Sequence, residues 1–288
     1  MYYCQNVKNF IIKTFLCLAV FTAVFFTARK CFACQEKEKG VFMPVIMYHS
    51  VCEKSPSEYT VTPQQFESDL LWLKNNGYST VSTEQLVNYT HGKGSLPEKC
   101  VMITLDDGYY NNLSEVLPIL EKYRMSAVIS VVGFYTDNIA PADPHVPEYS
   151  YLTWSDIKEL SDSGFAEIGN HTYNMHSFDG IRKGCAKVKG ETNEEYINTL
   201  KSDIQLLQSE IHRNTGISPI VFAYPFGEVS REALPVLREC GFLITLNCSE
   251  KPNYITRNPE CLYGIFRYNR SGLYSTQDFM DKITSINA

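Results

Sequence analysis

The chain has 288 residues, of which 44% are hydrophobic and 20% are charged, and its formal net charge is -6. This length and apolar content suffice for one sizeable globular domain and do not require two. The acidic balance lacks the basic footprint of nucleic-acid-binding proteins, so we expect no nucleic acid partner.

The amino terminus carries an apolar segment that is typical of export. Within residues 10–28 the only charge is Lys13, and Lys8 lies just before the segment. A basic stretch followed by an apolar core predicts a signal peptide or a membrane anchor over residues 1–34. A cleaved signal peptide and an uncleaved anchor both remain open, because the apolar segment nearly reaches the length of a bilayer span. We therefore expect one of two locations. Either the N-terminal segment anchors the protein in the cell membrane with its domain outside the cell, or the protein is secreted.

Residues 35–42 form a short charged linker, and residues 43–288 form the predicted domain. Six of the ten cysteines lie in that domain, without the paired spacing of a structural zinc site. Outside the cell some of them could form disulfides, and the sequence does not assign the pairs.

After the linker, apolar runs alternate with amphipathic segments. The runs predicted as strands span residues 41–48, 100–105, 127–132, 166–168, 219–224 and 242–246. The segments predicted as helices span residues 63–76, 82–89, 113–123, 154–163, 193–214, 231–240 and 277–286. Thr62 is the expected N-cap of the first helix, with Pro63 at its first position, and Pro118 is a candidate kink.

The helix over residues 193–214 is the clearest of the series. Its apolar stripe recurs at steps of three and four residues and consists of Ile197, Leu200, Ile204, Leu207 and Ile211. Strands that alternate with helices predict an α/β fold with a parallel sheet and helices outside it. About seven such units favour a barrel over an open sheet, and the chemistry of such barrels lies after the carboxyl ends of the strands.

Two polar clusters at predicted strand ends indicate a catalytic site. Asp106 and Asp107 follow strand 100–105, where a metal could bind one carboxylate and leave the other as a base; a solvated Asp-Gly turn is the alternative. His171 and His176 follow strand 166–168 and lie five residues apart, so a loop must bring them together. With one carboxylate they would form a site that leaves positions for water and substrate.

Two further clusters are less specific. Tyr224 ends strand 219–224, and Pro225 and Phe226 follow it; we interpret the three as candidate oxyanion or substrate contacts, with a purely structural turn as the alternative. His49 follows the first strand and could equally be a hydrogen-bonded core residue. Aromatic side chains near the strand ends, including Tyr109, could stack on sugar rings, although core packing explains many of them equally well.

Together the motifs TLDDGY, HTYNMH and AYPFG resemble those of the polysaccharide deacetylase family, the NodB homology domain of carbohydrate esterase family 4. The resemblance covers roughly residues 43–267. It implies a distorted (β/α)7 barrel, here preceded by one hydrophobic export or anchor helix. It also implies a bacterial enzyme that removes acetyl groups from N-acetylated extracellular polysaccharide.

By motif position, the resemblance implies that Asp106 is the general base and that Asp107, His171 and His176 bind a divalent metal. Zinc is our first choice, because histidine and carboxylate ligands suit it. The metal would polarise the acetyl carbonyl and activate a water. The backbone N–H of Tyr109 would help to stabilise the oxyanion.

Three departures from the family pattern affect the expected mechanism. The histidine pair is one residue wider than the common spacing, Ala223 stands where the third motif usually has arginine, and no histidine follows His212. A branch resembling deacetylases of exported poly-N-acetylglucosamine shares the wider pair, the missing arginine and an MYH start. That resemblance implies His49 as the general acid. Arg267 is a candidate for orienting a catalytic acid, with a structural ion pair as the alternative.

The motifs identify the acetyl chemistry better than they identify the polymer. Poly-N-acetylglucosamine, peptidoglycan and chitin-like polymers all remain open as substrates. An O-acetyl esterase on the same barrel is one alternative function. A catalytically silent glycan-binding protein is another. The missing arginine and late histidine favour it, whereas the intact Asp106, Asp107, His171 and His176 argue against it.

Overall fold

A computed structural model of the protein describes residues 40–139, 142–178 and 181–285, together with the isolated residues 14 and 22. The predicted export or anchor segment, residues 1–34, therefore lies outside the described residues except for Thr14 and Thr22, which are helical. None of the helices that the structure describes combines the length and the apolar character needed to cross a bilayer. The compact unit that carries the site begins at Gly40.

The strands of this unit are short and mostly buried. In chain order they are β1 (Val41–Phe42), β2 (Val45–Tyr48), β3 (Ser50–Val51), β4 (Thr60–Val61), β5 (Ser79–Thr80), β6 (Cys100–Leu105), β7 (Ala127–Val131), β8 (Ala166–Asn170), β9 (Val221–Ala223), β10 (Ile244–Leu246), β11 (Tyr254–Ile255) and β12 (Tyr268–Asn269).

The main sheet is parallel throughout. Its strand order is β10-β9-β8-β7-β6-β2-β12, and β5 adds a short parallel pairing to the start of β6. The segment around β12 contacts the strands at both ends of this order. Ile265 bridges Leu246 of β10, and Tyr268 pairs with Ile46 of β2. An irregular segment thus joins the two edge strands, in agreement with a (β/α)7-like barrel.

Both faces of the central strands are buried, as expected for parallel strands covered by helices. In β6, Val101, Ile103 and Leu105 pack into the core cluster shared with the outer helices. Cys100 and Met102 alternate with them and face a second cluster, which includes side chains of β9 and β10. This alternation explains why β6 reads as a continuous apolar run in the sequence.

Helices cover the outside of the sheet. They are α1 (Pro63–Asn75), α2 (Thr83–Thr90), α3 (Leu117–Tyr123), α4 (Gly133–Asp137), α5 (Trp154–Asp162), α6 (Asn193–Thr215), α7 (Ala233–Glu239) and α8 (Thr276–Thr284). The predicted cap of α1 is confirmed: Thr62 accepts from the backbone N–H of Gln65 in a capping box, and Pro63 begins the helix. Residue 286, the predicted end of the last helix, lies outside the described residues.

The stripe of α6 is confirmed for Leu200, Ile204, Leu207 and Ile211, which are all fully buried. Ile197, the first predicted member, is only partly buried, and Tyr196 occupies the interior beside it.

Two proline residues account for the main differences from the predicted elements. The expected strand 41–48 divides at Pro44, which has no N–H for a sheet ladder: β1 pairs antiparallel with β11, and β2 enters the main sheet. The expected helix 113–123 contains a π-helical turn, Asn112–Val116, before α3. Pro118 lacks the N–H that would bond back to Ser114, so a regular helix cannot continue through this point.

Candidate active site and metal centre

The carboxyl ends of the parallel strands surround one cavity of about 570 Å³. Its wall consists of residues in or just after β2, β6, β8, β9, β10 and β12 and of residues from the loops beside them. They are Met47, His49, Glu58, Tyr59, Asp106, Asp107, Tyr109, His171, His176, Lys183, Phe226, Cys248, Glu250 and Asn269. The sequence clusters after β2, β6 and β8 are therefore brought together, as a barrel of parallel strands requires.

Asp106 follows the last residue of β6 and is almost fully buried. Arg267 holds it with two parallel hydrogen bonds, from Nη1 to Oδ1 at 2.8 Å and from Nη2 to Oδ2 at 2.7 Å. Burial raises the pKa of Asp106, but the adjacent Arg267 guanidinium outweighs that effect and keeps the pKa well below its ordinary value. The carboxylate is therefore ionised and fixed in orientation.

Arg267 is itself fully buried and lies just before β12 in the segment that joins the two edges of the sheet. Its Nε donates to the carbonyl oxygen of Asn247 at 2.9 Å, and its Nη1 also reaches Thr104 Oγ1 at 3.2 Å. The motif position that usually carries arginine is Ala223 here, and Arg267 supplies a guanidinium to Asp106 from elsewhere in the chain. The ion pair between Arg267 and Asp106 is therefore buried, and Asp106 is the predicted base.

Asp107, His171 and His176 converge on one point. One ligand atom from each lies within 4.8 Å of the others, and they form the one such group of three found among the residues that the structure describes. Asp107 Oδ1 lies 3.1 Å from His176 Nε2 and 3.6 Å from His171 Nε2. Asp107 has a φ of 73°, an unusual backbone angle for a residue with a Cβ, which turns its carboxylate towards the histidines.

The other nitrogen of each imidazole has its own partner. Nδ1 of His171 lies 2.8 Å from the carbonyl oxygen of Ala223, so Nδ1 carries the proton and Nε2 presents a lone pair. Nδ1 of His176 lies 3.1 Å from the hydroxyl of Tyr135. Both histidines therefore direct Nε2 towards Asp107, the arrangement that second-sphere partners impose on metal ligands.

The protonation of the two histidines differs. Burial lowers the pKa of His171 to about 4, despite the nearby carboxylate of Asp106. Burial also lowers the pKa of His176, but the carboxylate of Asp107 raises it more, and its pKa lies above the ordinary value. The neutral His171 is ready to act as a ligand, whereas His176 must release a proton at low pH first.

These residues fit a divalent metal. Asp107 Oδ1 is buried, and among the described residues its close polar neighbours are the Nε2 atoms of His176 and His171, at 3.1 and 3.6 Å, with no regular hydrogen bond to either. A buried carboxylate oxygen without a partner is costly, and a cation held between it and the two Nε2 atoms would satisfy all three. One carboxylate and two imidazoles also leave coordination positions for water and substrate.

His49 follows β2, whereas the histidine pair follows β8. His49 also lines the cavity. Its ring packs edge-on against Tyr59 with the ring centroids 5.0 Å apart. Its Nδ1 is buried and has no hydrogen-bond partner among the described residues. The side chain is therefore held by packing, and it lines the same cavity as Asp106 and Asp107.

The predicted aromatic residues divide between the cavity and the core. Tyr109 lines the cavity and stacks on Tyr151 at 5.1 Å, and Phe226, which is 40% exposed, packs on His176 at 4.6 Å. Tyr224 is buried instead, with its ring against Phe222. Pro225 is also buried and does not line the cavity.

Several cavity residues escaped the sequence reasoning. Tyr59, Lys183, Cys248 and Glu250 line the wall, and Tyr135 contacts His176 from behind. Cys248 and Tyr135 follow β10 and β7, so the rule that selected the other strand ends could have found them. Tyr59 and Lys183 lie in loops between elements, where no periodic signal exists.

The parallel sheet and the polar groups at its carboxyl edge define an α/β barrel with a candidate metal centre. The chain belongs to the polysaccharide deacetylase family, whose model matches residues 93–244.

The chain is 28% identical over 222 residues to the poly-β-1,6-N-acetyl-D-glucosamine N-deacetylase of Escherichia coli K12. That alignment covers 68% of this chain and 32% of the relative, so the chain spans about a third of that protein's length. The enzyme of the same name from Staphylococcus aureus MRSA252 is 25% identical over 213 residues, covering 74% of this chain and 69% of the relative. These relatives are polysaccharide N-deacetylases, which are hydrolases of carbon–nitrogen bonds other than peptide bonds.

Among solved structures, a de-N-acetylase from Aggregatibacter actinomycetemcomitans superposes with a TM-score of 0.68 at 27% identity. The match covers 83% of this chain and 99% of that one. The predicted family is thereby confirmed, and the parallel sheet is consistent with the predicted (β/α)7-like fold.

Proposed function

We propose that the protein is a metal-dependent polysaccharide N-deacetylase that releases acetate and leaves a free amine on the sugar. The observation that carries the proposal is the convergence of Asp107 Oδ1 with the Nε2 atoms of His171 and His176 within 4.8 Å. Beside it lies a second carboxylate, Asp106, kept ionised by Arg267. One carboxylate is thus available for a metal and the other for proton transfer.

Asp107, His171 and His176 would hold the metal, and zinc is our first choice, although other divalent first-row ions suit these ligands. When bound, the metal polarises the acetyl carbonyl and lowers the pKa of a water. Asp106 lies beside these three residues, with its Oδ2 4.0 Å from His171 Nε2.

Asp106 would act as the general base. Its low pKa keeps it ionised, and Arg267 holds both of its oxygens, so that the carboxylate meets the attacking water in one orientation. Proton transfer by a positioned base usually contributes about 100- to 10,000-fold to the rate. The proton that Asp106 removes comes from the water whose oxygen forms the new bond to the acetyl carbon.

His49 would act as the general acid. The carbon–nitrogen bond breaks only when the departing nitrogen gains a proton, and His49 lines the side of the cavity at the end of β2. The backbone N–H of Tyr109 would stabilise the oxyanion during attack. The products are acetate and a glucosamine-type unit, so atoms and charge balance with one water consumed.

The substrate that we propose is poly-β-1,6-N-acetylglucosamine outside the cell. The support comes from the similarity to the Escherichia coli and Staphylococcus aureus enzymes of that name. A cavity of about 570 Å³ is within the ordinary range for one small ligand, and exposed rings of Tyr59 and Phe226 at its wall suit the faces of a sugar. We further propose that residues 1–34 deliver the domain to the membrane or export it, consistent with the apolar segment over residues 10–28.

The proposal is tested by adding the full chain to oligomers of β-1,6-linked N-acetylglucosamine and measuring acetate and free amines together. We expect equal amounts of both from the wild type and a loss of at least about 100-fold in Asp106→Asn. His49→Ala should slow the reaction while leaving substrate binding intact.

Three outcomes would overturn parts of the proposal. Acetate without free amines from an O-acetylated polymer would identify an esterase. Binding of the oligomers without any acetate release in the presence of zinc would identify a glycan-binding protein. Full activity of a folded His49→Ala variant would contradict its role as the acid.

A further inference from the structure

Tyr135 lies behind the metal ligand His176 and outside the three sequence motifs. It belongs to α4, which begins two residues after β7 ends. Its hydroxyl oxygen is 3.1 Å from Nδ1 of His176 and 3.3 Å from the backbone carbonyl oxygen of the same residue. One hydroxyl therefore contacts both polar groups that His176 presents on the side away from Asp107.

We infer that Tyr135 is a positioning residue that selects the nitrogen with which His176 faces the metal. A hydroxyl has one proton to donate, and the carbonyl oxygen can only accept, so both contacts are satisfied when the hydroxyl donates to the carbonyl oxygen and accepts from Nδ1–H. A neutral imidazole with its proton on Nδ1 has its lone pair on Nε2. Nε2 is the atom that lies 3.1 Å from Asp107 Oδ1.

The hydroxyl is fixed in place by its surroundings. The Tyr135 ring packs on Tyr151 with centroids 4.5 Å apart, and Tyr151 in turn stacks on Tyr109 at 5.1 Å. The Tyr135 ring also meets the His176 ring edge-on at 5.8 Å.

The two histidine ligands are supported by different chemistry. His171 donates to the carbonyl oxygen of Ala223, an acceptor that the backbone of β9 fixes. His176 depends on the side chain of Tyr135 from helix α4, and its own side chain is 15% exposed. Removal of the Tyr135 hydroxyl should therefore leave His171 unchanged and release the orientation of His176 alone.

The test compares Tyr135→Phe with wild type and with Tyr173→Phe as a matched control. Tyr173 lies in the loop between the two histidines, but its hydroxyl bonds Asp137 Oδ2 at 2.9 Å and does not contact His176. Both substitutions remove one phenolic hydroxyl and keep the ring. Zinc dissociation constants are measured by competition with a chromophoric chelator, and the visible absorption of the Co²⁺-loaded proteins reports the ligand geometry.

Loss of a second-sphere partner of a metal-bound histidine typically weakens metal binding about 10- to 100-fold. We expect that loss and an altered Co²⁺ spectrum in Tyr135→Phe, with wild-type values in Tyr173→Phe. Unchanged affinity and spectrum in Tyr135→Phe, or equal losses in both variants, would overturn the inference.

The inference rests on the proposed function, because it concerns the same metal site. The two can fail separately: a wild-type chain that binds neither zinc nor cobalt would refute the metal site itself. Tight wild-type binding that Tyr135→Phe leaves unchanged would refute only the role of Tyr135.

Discussion

Replacement of Arg267 by methionine should inactivate the site by changing the protonation of Asp106. The substitution keeps most of the buried stem and removes both guanidinium bonds to the carboxylate, which are 2.8 and 2.7 Å long. Asp106 is only 2% exposed. Without the guanidinium, burial is the largest influence on the carboxyl group and raises its pKa.

The expected magnitude follows from that burial. Full burial without a partner can raise a carboxyl pKa by about 3 to 5 units, so Asp106 would be largely protonated at neutral pH. A protonated carboxyl cannot accept a proton from water, and the rate should fall by about 100- to 10,000-fold. In the wild type the low pKa of Asp106 keeps the base ionised, whereas in Arg267→Met activity should recover only as the pH rises.

The fold offers a matched control three residues away. Arg270 is also fully buried and pairs with Asp69, with Nε to Oδ2 at 2.6 Å and Nη2 to Oδ1 at 3.1 Å, but it does not line the cavity. Breaking either buried pair should cost about 3–5 kcal/mol of stability. Rates are therefore compared from pH 5 to 10 at a temperature where circular dichroism shows both variants to be folded.

We expect the rise of activity with pH to move to higher pH in Arg267→Met and to stay at the wild-type position in Arg270→Met. Identical pH profiles in wild type and Arg267→Met would refute the reasoning, because they would show that Arg267 does not control the ionisation of the base. An equal shift in both variants would assign the effect to general destabilisation.

Two further predictions concern stability and metal binding. Asp69→Ala removes the buried acceptor shared by Tyr48, Arg270 and Thr276. The free energy of unfolding, measured by urea titration, should fall by about 3–5 kcal/mol. A loss under about 1 kcal/mol would contradict this prediction. The pKa of His176 is raised, so its imidazole binds a proton more readily than usual and must lose it to bind metal. Zinc affinity should thus fall by about tenfold per pH unit below that pKa, and an affinity independent of pH would contradict the ligand assignment.

Most of the sheet could be predicted because its strands are buried on both faces. The run over Cys100–Leu105 is apolar throughout, and the long helix α6 shows its period directly in the sequence. β12 could not be predicted, since its two residues carry no apolar run and gain their place only by pairing with β2. The closure of the barrel therefore depends on tertiary contacts that have no local signal.

The candidate site was predictable where chemistry follows a strand end. Asp106, Asp107, His171 and His176 meet because parallel strands bring their carboxyl ends to one edge. The partner of Asp106 was harder to assign, because Arg267 reaches it across the barrel from a position 161 residues later in the chain.

The residues that support the metal ligands from behind were the hardest part of the site to predict from the sequence. Tyr135 lies in a helix of five residues, too short to show a periodic pattern, and its contact with His176 depends on the path of two separate loops. Tyr224 and Pro225 differ in the opposite way: they lie in a motif, yet their side chains are buried and do not line the cavity.

The most direct test of the proposed function is metal removal and restoration with β-1,6-linked N-acetylglucosamine oligomers as substrate. The full chain is stripped with a chelator, dialysed, and assayed for acetate and free amines before and after one equivalent of zinc is returned. We predict that activity disappears with the metal and returns with it, with one acetate formed per new amine, and that Asp107→Asn gains little from added zinc. Unchanged acetate release by the metal-free chain would contradict the assignment of Asp107, His171 and His176 as the centre of the reaction.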